Sequence, residues 1–133
     1  MKTLLTSIIL LLSLTLYSQN IGDSYKYLFD NKDSLNITHY RVFEDYFEVG
    51  SFGEHKITIF LVDFKHEKVI GIDYLYPDVD SRNKDLSVCL NDAYGIGEQV
   101  YVKDNTIIFI SETEIIIRDV GYIKRRAKSC SKD

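Results

Sequence analysis

Residues 56–76, KITIFLVDFKHEKVIGIDYLY, decide the fold. Lys56 to Phe64 and Val69 to Tyr76 are dense in Ile, Val, Leu, Phe and Tyr, the residue types that pack well on a pleated surface. His66-Glu67 lies between them as a polar turn. Two runs of strand length joined this tightly define an antiparallel hairpin. Pro77 follows; it has no backbone N–H to offer a ladder and stops the sheet. Asp78 to Lys84 then reads as a polar loop.

Working upstream, Asn36 to Val49 is also extended. Thr38, Tyr40 and Val42 alternate with His39, Arg41 and Phe43, and the phase changes near Glu44-Asp45 before Phe47 and Val49. This predicts two strands or one bulged strand. Gly50-Ser51-Phe52-Gly53 reads as a turn. Before it, Asp23 to Asp30 predicts a short helix capped by Asp23 or Ser24, with Tyr25, Leu28 and Phe29 spaced as one buried face.

Downstream, Leu86, Cys89, Leu90 and Ala93 share one helical face, so Asp85 to Tyr94 predicts a second helix closed by Gly95 and Gly97. A strand through Leu86, Val88 and Leu90 is the competing reading. The last third predicts a meander. Gln99–Lys103 and Thr106–Ser111 flank the turn Asp104-Asn105, and Ile115 to Arg118 and Tyr122 to Lys124 follow after further turns. Ile107 to Ile110 is apolar on both faces and calls for cover by a helix or a second sheet. The whole predicts an α+β domain: an antiparallel sheet of about six to eight strands with two short helices on one face.

The N-terminus has a different character. Met1-Lys2-Thr3 is basic, Leu4 to Tyr17 carries no charge, and Ser18-Gln19-Asn20 closes the run with a small residue and then polar ones. That is the layout of a secretory signal peptide, with cleavage expected after Ser18. The run falls short of the ~20 apolar residues of a spanning helix, so no stable membrane span is expected after cleavage. Residues 19–133 then form a single domain with a basic tail from about 124, located in the periplasm or outside the cell.

Removing Lys2 leaves 15 Lys and Arg against 20 Asp and Glu, a net charge of −5. This acidic balance argues against a nucleic-acid partner. Two cysteines in an exported chain make Cys89 and Cys130 a disulfide pair by expectation; by loop entropy such a bridge contributes about 4 kcal/mol.

Chemistry-bearing motifs are absent from the sequence. His39, His55 and His66 lack metal-ligand spacing. Asp78 to Asp85 concentrates carboxylates, but Arg82 occupies a position where a calcium loop needs an oxygen ligand, and no glycine follows. There is no GxSxG or CxxC, and Gly95-Ile96-Gly97 lacks the third glycine of a dinucleotide loop. No catalytic residue, cofactor or metal is expected. Glu44, Asp45 and Glu48 cluster near the bend without forming a recognisable pair, and Lys124-Arg125-Arg126-Ala127-Lys128 is basic enough to touch an anionic surface. The strand tyrosines Tyr40, Tyr46, Tyr74, Tyr76 and Tyr101 are the candidate binding surface, because a tyrosine joins apolar area to a polar tip.

Tyr17-Ser18-Gln19, Ile21-Gly22-Asp23-Ser24 and the Tyr94-Gly95 step resemble the small exported proteins of Bacteroidota-type bacteria. The element order is similar to β-lactamase-inhibitor-like modules and to outer-membrane assembly lipoprotein folds, although no lipid-anchor cysteine is present. The expectation is a non-enzymatic module that binds a protein or envelope component. A small hydrolase of envelope polymers and a purely structural envelope protein are the alternatives.

Overall fold

The computed structural model describes residues 21–131, with side chains described as far as Lys128. The leader and the side chain of Cys130 therefore lie outside the described residues. Eight antiparallel strands form one sheet: β1 Ile37–Val42, β2 Tyr46–Phe52, β3 Ile57–Asp63, β4 Val69–Leu75, β5 Tyr94–Gly97, β6 Val100–Lys103, β7 Thr106–Ile110 and β8 Glu114–Asp119. Among the described residues three helices accompany them: α1 Lys26–Asp30, α2 Val79–Cys89 and α3 Val120–Ser131. The spatial order is β1-β2-β3-β4-β8-β7-β6-β5. Two four-stranded meanders thus meet at one seam, where β4 pairs with β8 from Gly71↔Arg118 to Leu75↔Glu114. The predicted α+β class and the antiparallel sheet are observed.

Strand alternation gives each half a buried face. Phe47, Val49, Phe60, Val62, Val69 and Ile72 of the first meander pack with Leu28 of α1. Ile108, Ile110 and Ile115 of the second pack with Tyr76, and Leu86, Cys89 and Leu90 from the α2 end cover them. Ladder register places both sets on the same face: Phe60 opposes Ile72, Ile72 opposes Ile117, and Ile117 opposes Ile108. Tyr74 packs against both clusters and joins them. The two predicted helices do cover one face.

Several boundaries differ from expectation, each for a local reason. α1 starts at Lys26, because Ser24 bridges Lys68 and the preceding backbone pairs with Val69. Phe29, expected on the buried face, is 63% exposed; in so short a helix Leu28 takes the inward position. β2 runs through the expected turn to Phe52, with Gly50 against His39, where a Cβ would come within 2.9 Å of the His39 Cβ. The β3–β4 connection spans 64–68, wider than a two-residue turn.

α2 begins at Val79, well before Asp85, because the Asp78 carboxylate accepts the Ser81 N–H at 2.8 Å. That cap satisfies a helix-end donor inside what reads as a loop. The helix ends at Cys89, ahead of Asp92 in the left-handed region at φ +62°, and Gly95-Ile96-Gly97 lies within edge strand β5. Tyr122 to Lys124, expected as a strand, lies in α3. Asp119 caps that helix by accepting the Tyr122 N–H at 2.9 Å. α3 runs toward the β1–β2 turn, where Arg126 pairs with Asp45.

The seam carries an ion pair. Arg118 donates to both carboxylate oxygens of Asp73, at 2.5 and 3.4 Å, with each side chain about four-fifths buried. Gly71, one rung along, makes the space: a Cβ there would sit 2.9 Å from a guanidinium nitrogen. Gly71→Ala is expected to lower stability by about 1–3 kcal/mol by pushing Arg118 off Asp73. In an Arg118→Ala background the same change should cost under about 0.5 kcal/mol. Urea unfolding of the four proteins in this cycle measures the difference.

Candidate functional site

An apolar groove lies between α1 and the β1 edge of the sheet. Its floor is Phe47, Val49 and Val62, elements of the first core cluster. Phe47 stands at the centre. Tyr25 meets it edge-on at 5.6 Å between ring centroids, Tyr40 lies tilted at 5.4 Å and Phe64 at 5.1 Å. Phe29 forms the outer wall, and the enclosed volume is about 520 Å³. That lies within the range of ligand clefts, roughly 300–1,000 Å³.

The apolar walls are open to solvent. Phe29, Tyr40 and Phe64 are 63%, 62% and 43% exposed, and Val42 beyond the groove is 57% exposed. Charge sits at the two ends. Lys32 follows α1, its ammonium 5.3 Å from the Phe29 ring, and it adjoins Ile37 through the Ile37 N–H bond to its carbonyl. Glu67 lies at the other end, its carbonyl accepting the Tyr25 N–H. Among the described residues neither has an ion-pair partner.

Of the five candidate tyrosines, Tyr40 alone lines this groove. Tyr46 stacks on Phe43 at 4.6 Å beside the β1–β2 turn. Tyr74, Tyr76 and Tyr101 belong to the interior face under α2. Tyr25, Phe29, Phe47 and Phe64 join the site without having been singled out. The phase of Phe47 and Val49 was visible in the sequence, but the gathering of the exposed rings Phe29, Tyr40 and Phe64 around them was not.

A second polar cluster holds α2 down. Asp85 accepts from Tyr76 and from Lys56, each at 2.8 Å, and the Lys56 ammonium lies 4.5 Å from the Tyr74 ring centre. Burial works against ionisation of Asp85, but the hydrogen bonds from Lys56 and Tyr76 outweigh it and hold the carboxyl below the usual carboxylate range. Burial, reinforced by Cys89 and Asp85, pushes the Tyr74 phenol up to about 12. Burial, then the bond to Asp85, pushes Tyr76 higher still. Among the described residues Cys89 has no disulfide partner, and its thiol is raised by burial and by Asp85 against the pull of Lys56 and Lys103. This is an anchoring network: its net effect on the Cys89 thiol is to raise the pKa.

The remaining candidates are placed apart. His66 Nδ1 lies 2.6 Å from Asp63, and His39 lies 3.8 Å from Glu48. Asp45 is engaged by Arg126. No cluster of three metal-ligating side chains occurs among the described residues, and no helix among them is long and apolar enough to cross a membrane. No family model, curated protein or solved structure matches the chain.

Two outcomes test the anchoring role. Tyr76→Phe is expected to lower stability by about 1–2 kcal/mol at pH 7, the value of a hydrogen bond to a charged acceptor. Asp85 has a depressed folded pKa, so its contribution is present above the ordinary carboxylate range and lost as pH falls through the folded pKa, which lies below that range. The Tyr76→Phe difference should therefore shrink between pH 7 and pH 3 in urea titrations. In a Cys130→Ser chain, Cys89 should react with an aromatic disulfide reagent at neutral pH at least about tenfold more slowly than the unfolded protein.

Proposed function

We propose that the chain is an exported, non-enzymatic binding domain of the periplasm or the cell exterior, and that it takes a protein or envelope component into the aromatic groove between α1 and β1. The observation that carries this reading is the exposure of Phe29, Tyr40 and Phe64 around the floor ring Phe47. A cluster of solvent-facing rings over an open apolar floor loses free energy to water that a ligand would recover. Glu67 is the single carboxylate in the lining, whereas hydrolysis of an envelope glycan needs a pair flanking one bond. The uncharged run from Leu4 to Tyr17 behind Lys2 supports export and removal of residues 1–18.

The test is affinity capture from an envelope extract of the native host, using the chain from Gln19 and its Phe29→Asp and Tyr40→Asp variants. Both positions are exposed, so the variants are expected to keep the parent stability within about 0.5 kcal/mol. A partner recovered in fixed stoichiometry by the parent and lost by both variants is the expected result. Equal recovery by parent and variants would remove the groove from the reading.

A further inference from the structure

The groove has a wall that an ordinary small-molecule cleft lacks. Four consecutive residues of β1, Ile37, Thr38, His39 and Tyr40, all line it. Ile37, Thr38 and His39 span the β1 bulge, where the alternation of faces is relaxed, and Tyr40 follows on the side of the core face, opposite Val49. β1 is the terminal strand of the sheet, paired only with β2. Among the described residues, Thr38 to Val42 make no backbone hydrogen bonds outside that ladder. The bulge between Ile37 and His39 disturbs the start of the strand, and the ladder is regular from His39↔Gly50 to Val42↔Phe47. An unpaired edge therefore runs beside an apolar trough, and the exposed side chains Tyr40 and Val42 lean from that edge on the trough's side.

We infer that the groove is a strand-addition site: an extended segment of a partner protein pairs with the outer edge of β1 at His39–Val42 and inserts alternate apolar side chains between α1 and the sheet. This rests on the reading of the groove as the binding site and names its occupant. Main-chain pairing supplies affinity in such complexes, and pockets for every second side chain supply selectivity.

The charged ends give the guest a direction. β1 runs from Ile37, beside Lys32, to Val42, which opposes Phe47; Phe64 and Glu67 lie at that second end. An antiparallel guest enters with its N-terminal end at Glu67 and leaves with its C-terminal end at Lys32. A basic residue, an alternating apolar core and an acidic residue, in that order, complement both ends. At about 3.4 Å per residue such a guest needs roughly seven to nine residues to span them.

The test uses the chain from Gln19, which contains every residue of the fold described above, and isothermal titration with four probes. The first is the peptide Lys-Thr-Val-Thr-Phe-Thr-Val-Thr-Glu. The second exchanges its terminal Lys and Glu. The third repeats the first with alternate backbone nitrogens methylated, on the edge that would face β1. The fourth is dodecanoate, an apolar chain with no peptide backbone. The first probe is expected to bind, the charge-exchanged probe about three- to tenfold more weakly, and the methylated probe at least about tenfold more weakly. Phe29→Asp should abolish binding of the first probe, and Lys32→Glu should narrow or invert the preference between the first two. Methylated and unmethylated peptides binding equally would overturn strand pairing. So would dodecanoate binding alone, in a Phe29-dependent way; either result leaves the groove a binding site. If neither peptides nor dodecanoate bind, both readings fail. Self-association in sedimentation that Phe29→Asp removes would make a second copy the occupant and overturn the inference in its present form.

Discussion

Everything in this molecule depends on the seam between β4 and β8. Each meander is closed by short local connections, but neither buries its apolar face alone, and a four-stranded sheet with a single short helix over it has little core. Pairing Gly71–Leu75 with Glu114–Arg118 turns two weak halves into one sheet whose buried face is continuous from Phe47 to Ile110. Tyr74 completes the union from within, since its ring touches both clusters. On the opposite face, Arg118 and Asp73 cross the same seam in the space that Gly71 leaves. A largely buried ion pair adds little net stability, but separating its partners leaves a charge stranded, so it penalises any slip of register. The halves are specified against one another as well as attracted.

The sequence disclosed what is local. The two runs dense in strand-forming residues between Lys56 and Tyr76, the phase change at Glu44-Asp45 and the turn at Asp104-Asn105 each mark strands whose partners are neighbours in the chain, and these pairings are observed. The seam left no such mark, because the residues that meet there are about 40 positions apart and carry no pattern that points across the gap. α2 was partly legible: Leu86, Cys89 and Leu90 do face the core, but its start depends on a cap formed by Asp78 in a stretch rich in charge. α3 was misread as a strand because Tyr122 and Ile123 suit either state, and only the Asp119 cap and the lack of a free sheet edge beside β8 decide. The groove was legible least. Tyr40 was picked for its residue type, whereas the rings that make the site come from four separate elements and matter because they gather around Phe47.

The two ends of the sheet are guarded differently. β5 is a four-residue strand, Tyr94 to Gly97, with glycine at two of its positions and Asp92 and Glu98 close by. Short edges broken by glycine invite little pairing, even though Tyr94 and Ile96 stand 78% and 61% exposed on this one. β1 is longer, bears Tyr40 and Val42 exposed, and opens onto the trough under α1. Both borders carry exposed apolar side chains, and what sets β1 apart is its greater length and the trough that lies beside it.

α2 is fastened in an unusual manner. None of its residues is fully buried, Val88 lies 72% exposed, and its hold comes from Asp85 on Tyr76 and Lys56 and from Arg82 on the Ser111 carbonyl. A cover kept in place by a few polar fasteners, with little greasy area beneath it, lifts at a smaller free-energy cost than the strands it shelters. Brief excursions of this kind would bare Ile108 and Ile110 while the β4–β8 ladder stays intact. Among the described residues, the stretch from Asp78 to Leu90 is then an early foothold for a protease and an early place for amide protons to trade with solvent, so the lifetime of the folded chain is tied to this latch as well as to the strength of its core.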